Sequence, residues 1–528
     1  MKRRELSVVP MPDKRTVRKS GPGQTVYIYY TLRAYRNKKG QPTSETALIG
    51  KLAADGVSLI PNIRYFELFT KESSQETAPV PTIDTVRSNG TTKALTTLAD
   101  NMGLVSCLRQ AFPDNYATIL AVAMYMAECG NVMSYIDDWL DTTDAPITAL
   151  ASQSISRLFT AITPALRQKF LRQWTKRQPD PSHIAYDVTS ISTHADTLDQ
   201  AEWGHNRDGE SLVQLNVGMF YGITSGLPLY YSLYNGSICD KSHFPHMMGD
   251  AAEMGIKEVE FVFDKGFVTE ANLAYMDKAR LHFLAPCPPS RNDVRALISN
   301  IGATVKEPTN WIGEEECYGM RTEFTLLGRS LWAHIFYDSI RFAEQERGLY
   351  AYIDKLESEL KVASEKRLAK KYRDFFVFSG KTSQSQLPVF TRNETAVSEA
   401  LAAIGFAVFI TNDEALSPPD VLKLYRRRDE VEKAFDDLKN GIDFKRFKTH
   451  NQQTTNGKAF IGFIALILRS RMLNLLQQHK TTENMTLTKA LLELRKMRYT
   501  VTSAGEKRQL PITKIQTIIA EALGLSLT

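Results

Sequence analysis

The sequence predicts an α/β protein organised on a mixed sheet, and three observations carry that prediction. Three strand-like runs, HIAYDVTSIS, LVQLNVGMFYGI and LPLYYSLYNG, follow one another between residues 183 and 236 with short turns, which is the pattern of a meander. Helices and strands then alternate, from HFPHMMGDAAEMG through VEFVFD and TEANLAYMDKA to HFLAPCP. After a long interruption, strand-like FAVFITN (406 to 412) resumes the same pattern. Antiparallel strands followed by an alternation of helices and strands call for a mixed sheet with helices on its faces.

The rest of the chain is laid out around that core. Residues 1 to 70 contain a basic arm and then TVYIYYTLRAY, the turn RNKKGQP and the returning ETALIGKL, a β-hairpin module. Residues 71 to 91 have the Pro/Ser/Thr composition of a linker. Helical periodicity over 92 to 178 predicts a helical module. The core occupies 179 to 289 and 396 to 480. Between them, 290 to 395 reads as an insertion with two β-like runs and a long charged helix through Leu356, Leu360, Leu368 and Tyr372. Residues 481 to 528 read as a polar tail. This order of strands is the one that ribonuclease-H-like folds use.

Composition limits the function classes. The 528 residues are 43% hydrophobic and 23% charged, as in ordinary globular proteins. The longest apolar runs, 119 to 127 and 459 to 468, are too short to span a bilayer by themselves. Five scattered cysteines without a C-x-x-C pair argue against a disulfide framework and a zinc finger, and no secretory signal follows the basic start. A cytoplasmic setting is expected. Net charge is only +6, yet residues 1 to 40 hold eleven Lys or Arg against Glu5 and Asp13, a local +9, so the other 488 residues sum to −3. A basic arm on a near-neutral body suits a polyanion such as nucleic acid.

The candidate chemistry lies in three carboxylates. In YRRRDEVEKAFDDLKN (425 to 440), taken as one helix at about 100° per residue, Tyr425, Arg428, Glu432 and Lys439 fall on one narrow face. Leu424, Val431, Phe435 and Leu438 form an apolar stripe beside it, whereas Arg426, Lys433 and Asp437 point to solvent. Glu432 therefore sits at the border of the buried stripe, where a carboxylate is costly unless it is paired or bound to metal. Its bland alternative is a surface pair with Arg428 one turn earlier. Asp187 lies inside the first strand, a place where aspartate is depleted. Asp264 ends VEFVFD, at the carboxyl edge where ligands of open α/β sheets collect, although Asp-Lys-Gly is also a good turn. Three such oxygen ligands suit Mg²⁺ or Mn²⁺. Two ions about 4 Å apart would drive phosphoryl transfer on a nucleic acid.

These residues resemble a known family. Tyr425, Arg428, Glu432 and Lys439 fit the Y-x2-R-x3-E-x6-K signature of the bacterial insertion-sequence family numbered four, whose transposases use a DDE triad. Asp187 in YDVTS and Asp264 in FDKGF look like its two aspartates. WGHNRDG, FAVFITN and FKRFKTHN extend the match over roughly 180 to 480, and the N-terminal region is similar to one subgroup. The resemblance implies a Mg²⁺-dependent transposase with Asp187, Asp264 and Glu432 as catalytic metal ligands. It implies that Tyr425, Arg428 and Lys439 grip phosphates of double-stranded DNA, and that Trp311 or Trp332 in the insertion stacks on a flipped base. Synapsis of two ends implies a homodimer. A related endonuclease or resolvase that cuts without rejoining, and a domesticated DNA-binding protein, stay open as alternatives.

Overall fold

The computed structural model describes residues 8–12, 14–21, 25–69, 83–178, 183–256, 260–362, 370–379 and 389–527. It divides into two compact units, residues 1–82 and 83–528.

The first unit is more than the expected hairpin. Strands β1 (Thr16–Ser20), β2 (Val26–Arg36), β3 (Pro42–Leu52) and β4 (Leu59–Pro61) form one antiparallel sheet in that order, followed by helix α1 (Ile63–Phe69). Alternation along β2 puts Ile28 inside with Ile49 and Leu59, and α1 helps to cover this small core through Tyr65 and Leu68. Strand β1 lies within the stretch read as the basic arm.

The second unit opens with a correction. Of the expected linker, residues 71–82 lie outside the described residues, but β5 (Ile83–Ser88) is a strand. It pairs with β17 (Arg498–Thr502), which pairs in turn with β18 (Lys507–Gln509). The expected tail is thus folded as well, with helices α17 (Leu487–Arg495) and α18 (Lys514–Ala522). Local composition misses β5 because its partner β17 lies some four hundred residues away.

Helices α2 (Gly90–Asn101), α3 (Leu104–Ala111), α4 (Tyr116–Cys129), α5 (Ile136–Thr142), α6 (Ser152–Ala161) and α7 (Pro164–Arg177) follow. They pack around the long apolar helix α16 (Gln452–Gln478) and share one hydrophobic core with the sheet. A Cβ at Gly457 would meet the Phe159 carbonyl oxygen at 2.0 Å, so glycine lets α16 press against α6. By length and composition α16 is apolar enough to cross a membrane, but 72% of that stretch is buried within the protein, as in a core helix.

The central sheet has nine strands. Strands β6 (His183–Ser192), β7 (Gln214–Gly222) and β8 (Leu227–Asn235) form the predicted meander, followed by α8 (Asp240–Glu253), β9 (Glu260–Phe263), α9 (Glu270–Ala279) and β10 (His282–Cys287). The order β8-β7-β6-β9-β10, with β6, β9 and β10 parallel, is a ribonuclease-H-like sheet. Then come α10 (Asn292–Val305), β11 (Trp311–Ile312), β12 (Cys317–Leu326), β13 (Arg329–Tyr337), α11 (Ser339–Val362), α12 (Lys370–Arg373), β14 (Phe376–Ser379), β15 (Val389–Arg392), α13 (Glu394–Ala403) and β16 (Phe406–Thr411).

The expected insertion is not one separate body. Strand β16 lies between β10 and β13, antiparallel to both, so β13, β12 and β11 prolong the main sheet. Pairing on both sides leaves β16 no bare edge. Only the part from α11 to α13 buries its own core, around Ile353, Leu356, Leu360, Phe376 and Val397. Leu368 lies outside the described residues.

Candidate active site

The strand β6 is buried along nearly its whole length, and Asp187 is buried in the middle of it. Its Oδ1 accepts the Val188 N–H at 2.8 Å. Arg207 stands 3.6 Å from Oδ1 and Arg428 3.8 Å from Oδ2. Burial holds the Asp187 carboxyl above its ordinary range and outweighs these favourable partners, while Glu432 pushes in the same direction as burial.

Asp264 comes beside it through register. Tyr186 pairs with Phe263 across the parallel β6 and β9, so Asp187 and Asp264 are the next residues on neighbouring strands, which run about 4.8 Å apart. The sequence makes the chain turn here: Asp264 accepts the Lys265 N–H at 2.8 Å and starts a one-turn 3₁₀ helix ending at Phe267. Phe267 is buried against Tyr186 and Phe244, anchoring the turn beneath the sheet edge.

The signature segment differs from the single helix expected. It starts at a capping box in which Ser417 accepts the Asp420 N–H, with Pro418 in the first position, giving α14 (Pro418–Arg427). Arg428 interrupts it, and its N–H bonds to the Tyr425 carbonyl three residues back. The helix resumes as α15 (Asp429–Asp436) and widens to a π-helical turn over Asp437–Gly441. A break and a π turn are typical of segments that must point particular side chains inward. Val431, Phe435 and Leu438 are buried as the stripe predicted.

The side chains sort differently from the helical wheel. Glu432 is not buried: its side chain is 53% exposed and takes the guanidinium of Arg428, the pair anticipated as the bland alternative. Arg428 itself is buried, so the pair is not a mere surface contact. Burial would make Arg428 less basic, but Tyr425, Asp187, Glu432 and Asp264 outweigh it. One guanidinium thus senses all three carboxylates. Tyr425 packs on Phe409 with ring centroids 4.6 Å apart, and burial raises its hydroxyl pKa. Lys439 is buried in the π turn and donates to both oxygens of Asp208, at 2.9 and 2.7 Å. Asp437, expected to be solvated, forms a two-pronged pair with buried Arg469 at 2.7 and 2.6 Å.

The tryptophans do not join this cluster. Trp332 lies on β13, three strands from β9, with the Arg321 guanidinium 4.4 Å over its ring. Trp311 lies on the edge strand β11, is 49% exposed and meets Tyr318 edge-on at 5.0 Å.

Sequence reasoning missed Arg207, Asp208 and Glu210 as parts of the site. The available signal was their density, three charges in the five residues RDGES of a loop between two strands.

The family model described as "Transposase DDE domain" matches residues 178–468, more than half of the chain. The chain belongs to the DDE transposase family. That family consists of enzymes that cut and join DNA and usually use divalent metals. No curated protein matches the chain. Among solved structures, a piggyBac transposase synaptic complex with hairpin DNA is similar at 8% identity and a TM-score of 0.37, over 72% of this chain and 69% of that one. A Mos1 transposase paired-end complex with the left transposon end is similar at 10% identity and a TM-score of 0.15, over 42% and 65%. A pre-cleavage Mos1 transpososome gives 12% and 0.15, over 46% and 72%.

The donor set fits the family's metals in kind, since carboxylate oxygens are ligands for hard divalent ions. Among the described residues, no three acidic, His or Cys side chains stand close enough to hold one ion. Arg428 lies between Asp187 and Glu432, where it supplies positive charge to both.

Proposed function

We propose that the chain is a transposase of the insertion-sequence family numbered four, which cleaves DNA at the terminal inverted repeats of its element and joins the 3′-ends to target DNA. The observation that carries this reading is that Asp187 and Asp264 are neighbours across β6 and β9 while Arg428 ties Asp187 to Glu432. Asp187, Asp264 and Glu432 would hold the divalent ions, which activate a water or 3′-hydroxyl and stabilise the leaving oxygen. Arg428 and Tyr425 take the phosphate-facing places beside them. The basic sheet of residues 16–61 contributes sequence-independent attraction to the duplex, and two copies of the chain hold two ends.

Linear DNA bearing the candidate repeats, incubated with Mg²⁺, tests the assignment. Wild type cuts and yields joined product, whereas Asp187→Ala, Asp264→Ala and Glu432→Ala each lose at least about a hundredfold in rate. Cleavage that survives these substitutions overturns the catalytic roles. Cuts that never lead to joined product convert the reading to a nuclease.

A further inference from the structure

The loop between β6 and β7 connects both partners of the active site at once. Asn206 shapes it by accepting the N–H groups of Asp208 and Glu210, at 2.9 and 3.2 Å, while Gly209 takes a left-handed φ of +70°. Asn206 and the Arg207 backbone N–H also donate to Ser192 and Ser190 on β6, at 3.0 and 3.1 Å. Arg207 reaches back to Asp187 and pairs with Asp240 at 2.6 Å. In the other direction, Asp208 takes Lys439 in the π turn and Glu210 takes Arg446 at 2.7 Å. Arg446 is also bridged to Ser192 of β6 through the backbone.

We propose that Asp208 is a positioning residue of the transposase: it holds Lys439 so that α15 keeps its register against β6, which sets where Glu432 stands relative to Asp187. Glu210 provides the second pin, seven residues further along the same segment. The arrangement follows from geometry. Two acidic side chains of one loop grip the chain on the far side of α15, and a third side chain of that loop touches the strand aspartate. Lys439 is only 9% exposed, with both Asp208 oxygens on its ammonium, so its charge is neutralised inside the protein. The gripped segment includes a π turn, an element found frequently at functional sites.

The inference rests on the triad reading, and its test separates the two. In Asp208→Ala, DNA cleavage falls about a hundredfold, the loss that a misplacement near 1 Å brings. Affinity for repeat DNA stays within about twofold, because no phosphate contact is removed. Asp208→Glu restores part of the rate, and D208K/K439D cuts faster than either single variant. Amide exchange over 429–446 speeds up in Asp208→Ala while the exchange of β6 does not change. The proposal is overturned if Asp208→Ala weakens DNA binding as much as cleavage, if the exchanged pair is as slow as the product of its single losses, or if exchange over 429–446 is unaltered. Wild type that fails to cut overturns the triad reading instead, and amide exchange then still decides the role of Asp208.

Discussion

The two faces of the central sheet are built on opposite plans. One is an aromatic core: Tyr186, Phe220, Phe244, Phe263 and Phe267 touch one another between the strands and α8, with ring centroids 4.9 to 6.2 Å apart. The other face, covered by α14, α15 and α16, combines apolar residues such as Ile191, Val217 and Met219 with the buried charges of Asp187, Arg428 and Lys439. Residues that alternate along β6 serve both, with Tyr186 on the first face and Asp187 on the second. Both faces exclude water, but on the second every buried charge needs a partner.

The largest effect should come from the aromatic face. Phe220 is fully buried in β7, against Tyr186, Tyr230 and Phe261. Phe220→Ala should cost about 3–5 kcal/mol of stability, from the apolar surface no longer buried and the cavity left behind. Denaturant unfolding followed by tryptophan fluorescence measures this. A loss below about 1 kcal/mol would mean that the face repacks freely and the contrast fails.

Buried charge should reveal its cost through pH. Lys458 of α16 is buried, donates to the Phe447 carbonyl at 2.9 Å, and has its pKa lowered to about 8 by burial and by nearby Lys448. The unfolded lysine keeps its proton up to about 10.5. Between these values the unfolded chain binds more protons than the folded one, so stability rises with pH through the window, by about 3 kcal/mol in all. Lys458→Met removes the titrating group. The stability difference between wild type and Lys458→Met should therefore shift in favour of wild type from about pH 8 to about pH 10.5. If that difference is flat across the window, the ammonium is not desolvated and buried charge beside α16 costs little.

The contrast also explains what could be read in the sequence. The strands β6 to β10 and the buried stripe of Val431, Phe435 and Leu438 follow from local periodicity, which records burial directly. Asp187 stood out because it sits inside a strand, where a carboxylate is unfavourable. The partners did not stand out: Arg207 lies twenty residues from Asp187, and Asp208 lies 231 residues from Lys439, distances at which no periodicity acts. A helical wheel assumes a uniform helix, whereas here the N–H groups of Arg428 and Val431 bond three residues back and a π turn follows. Strand β5 has its partner β17 some four hundred residues away, and nothing local defines it.

The first unit repeats the two-faced plan on a smaller scale, and it gives the mildest prediction. Ile28 and Ile49 point into its core, while Tyr27 and Tyr29 point out with lysines over their rings: Lys19 lies 4.6 Å from Tyr29 and Lys51 5.5 Å from Tyr27. Lysines resting on tyrosines keep their charge in water, whereas the ammonium of Lys439 is held between the two oxygens of a carboxylate. Lys19 and Lys51 are therefore able to meet phosphates. Lys19→Ala with Lys51→Ala should lower affinity for non-specific duplex DNA several-fold and make the dependence of log affinity on log salt shallower by about 1–2, close to one counterion for each lysine removed. Fluorescence anisotropy across a salt series measures the slope. An unchanged slope would place the phosphate contacts of this unit elsewhere and confine the two-faced plan to the central sheet.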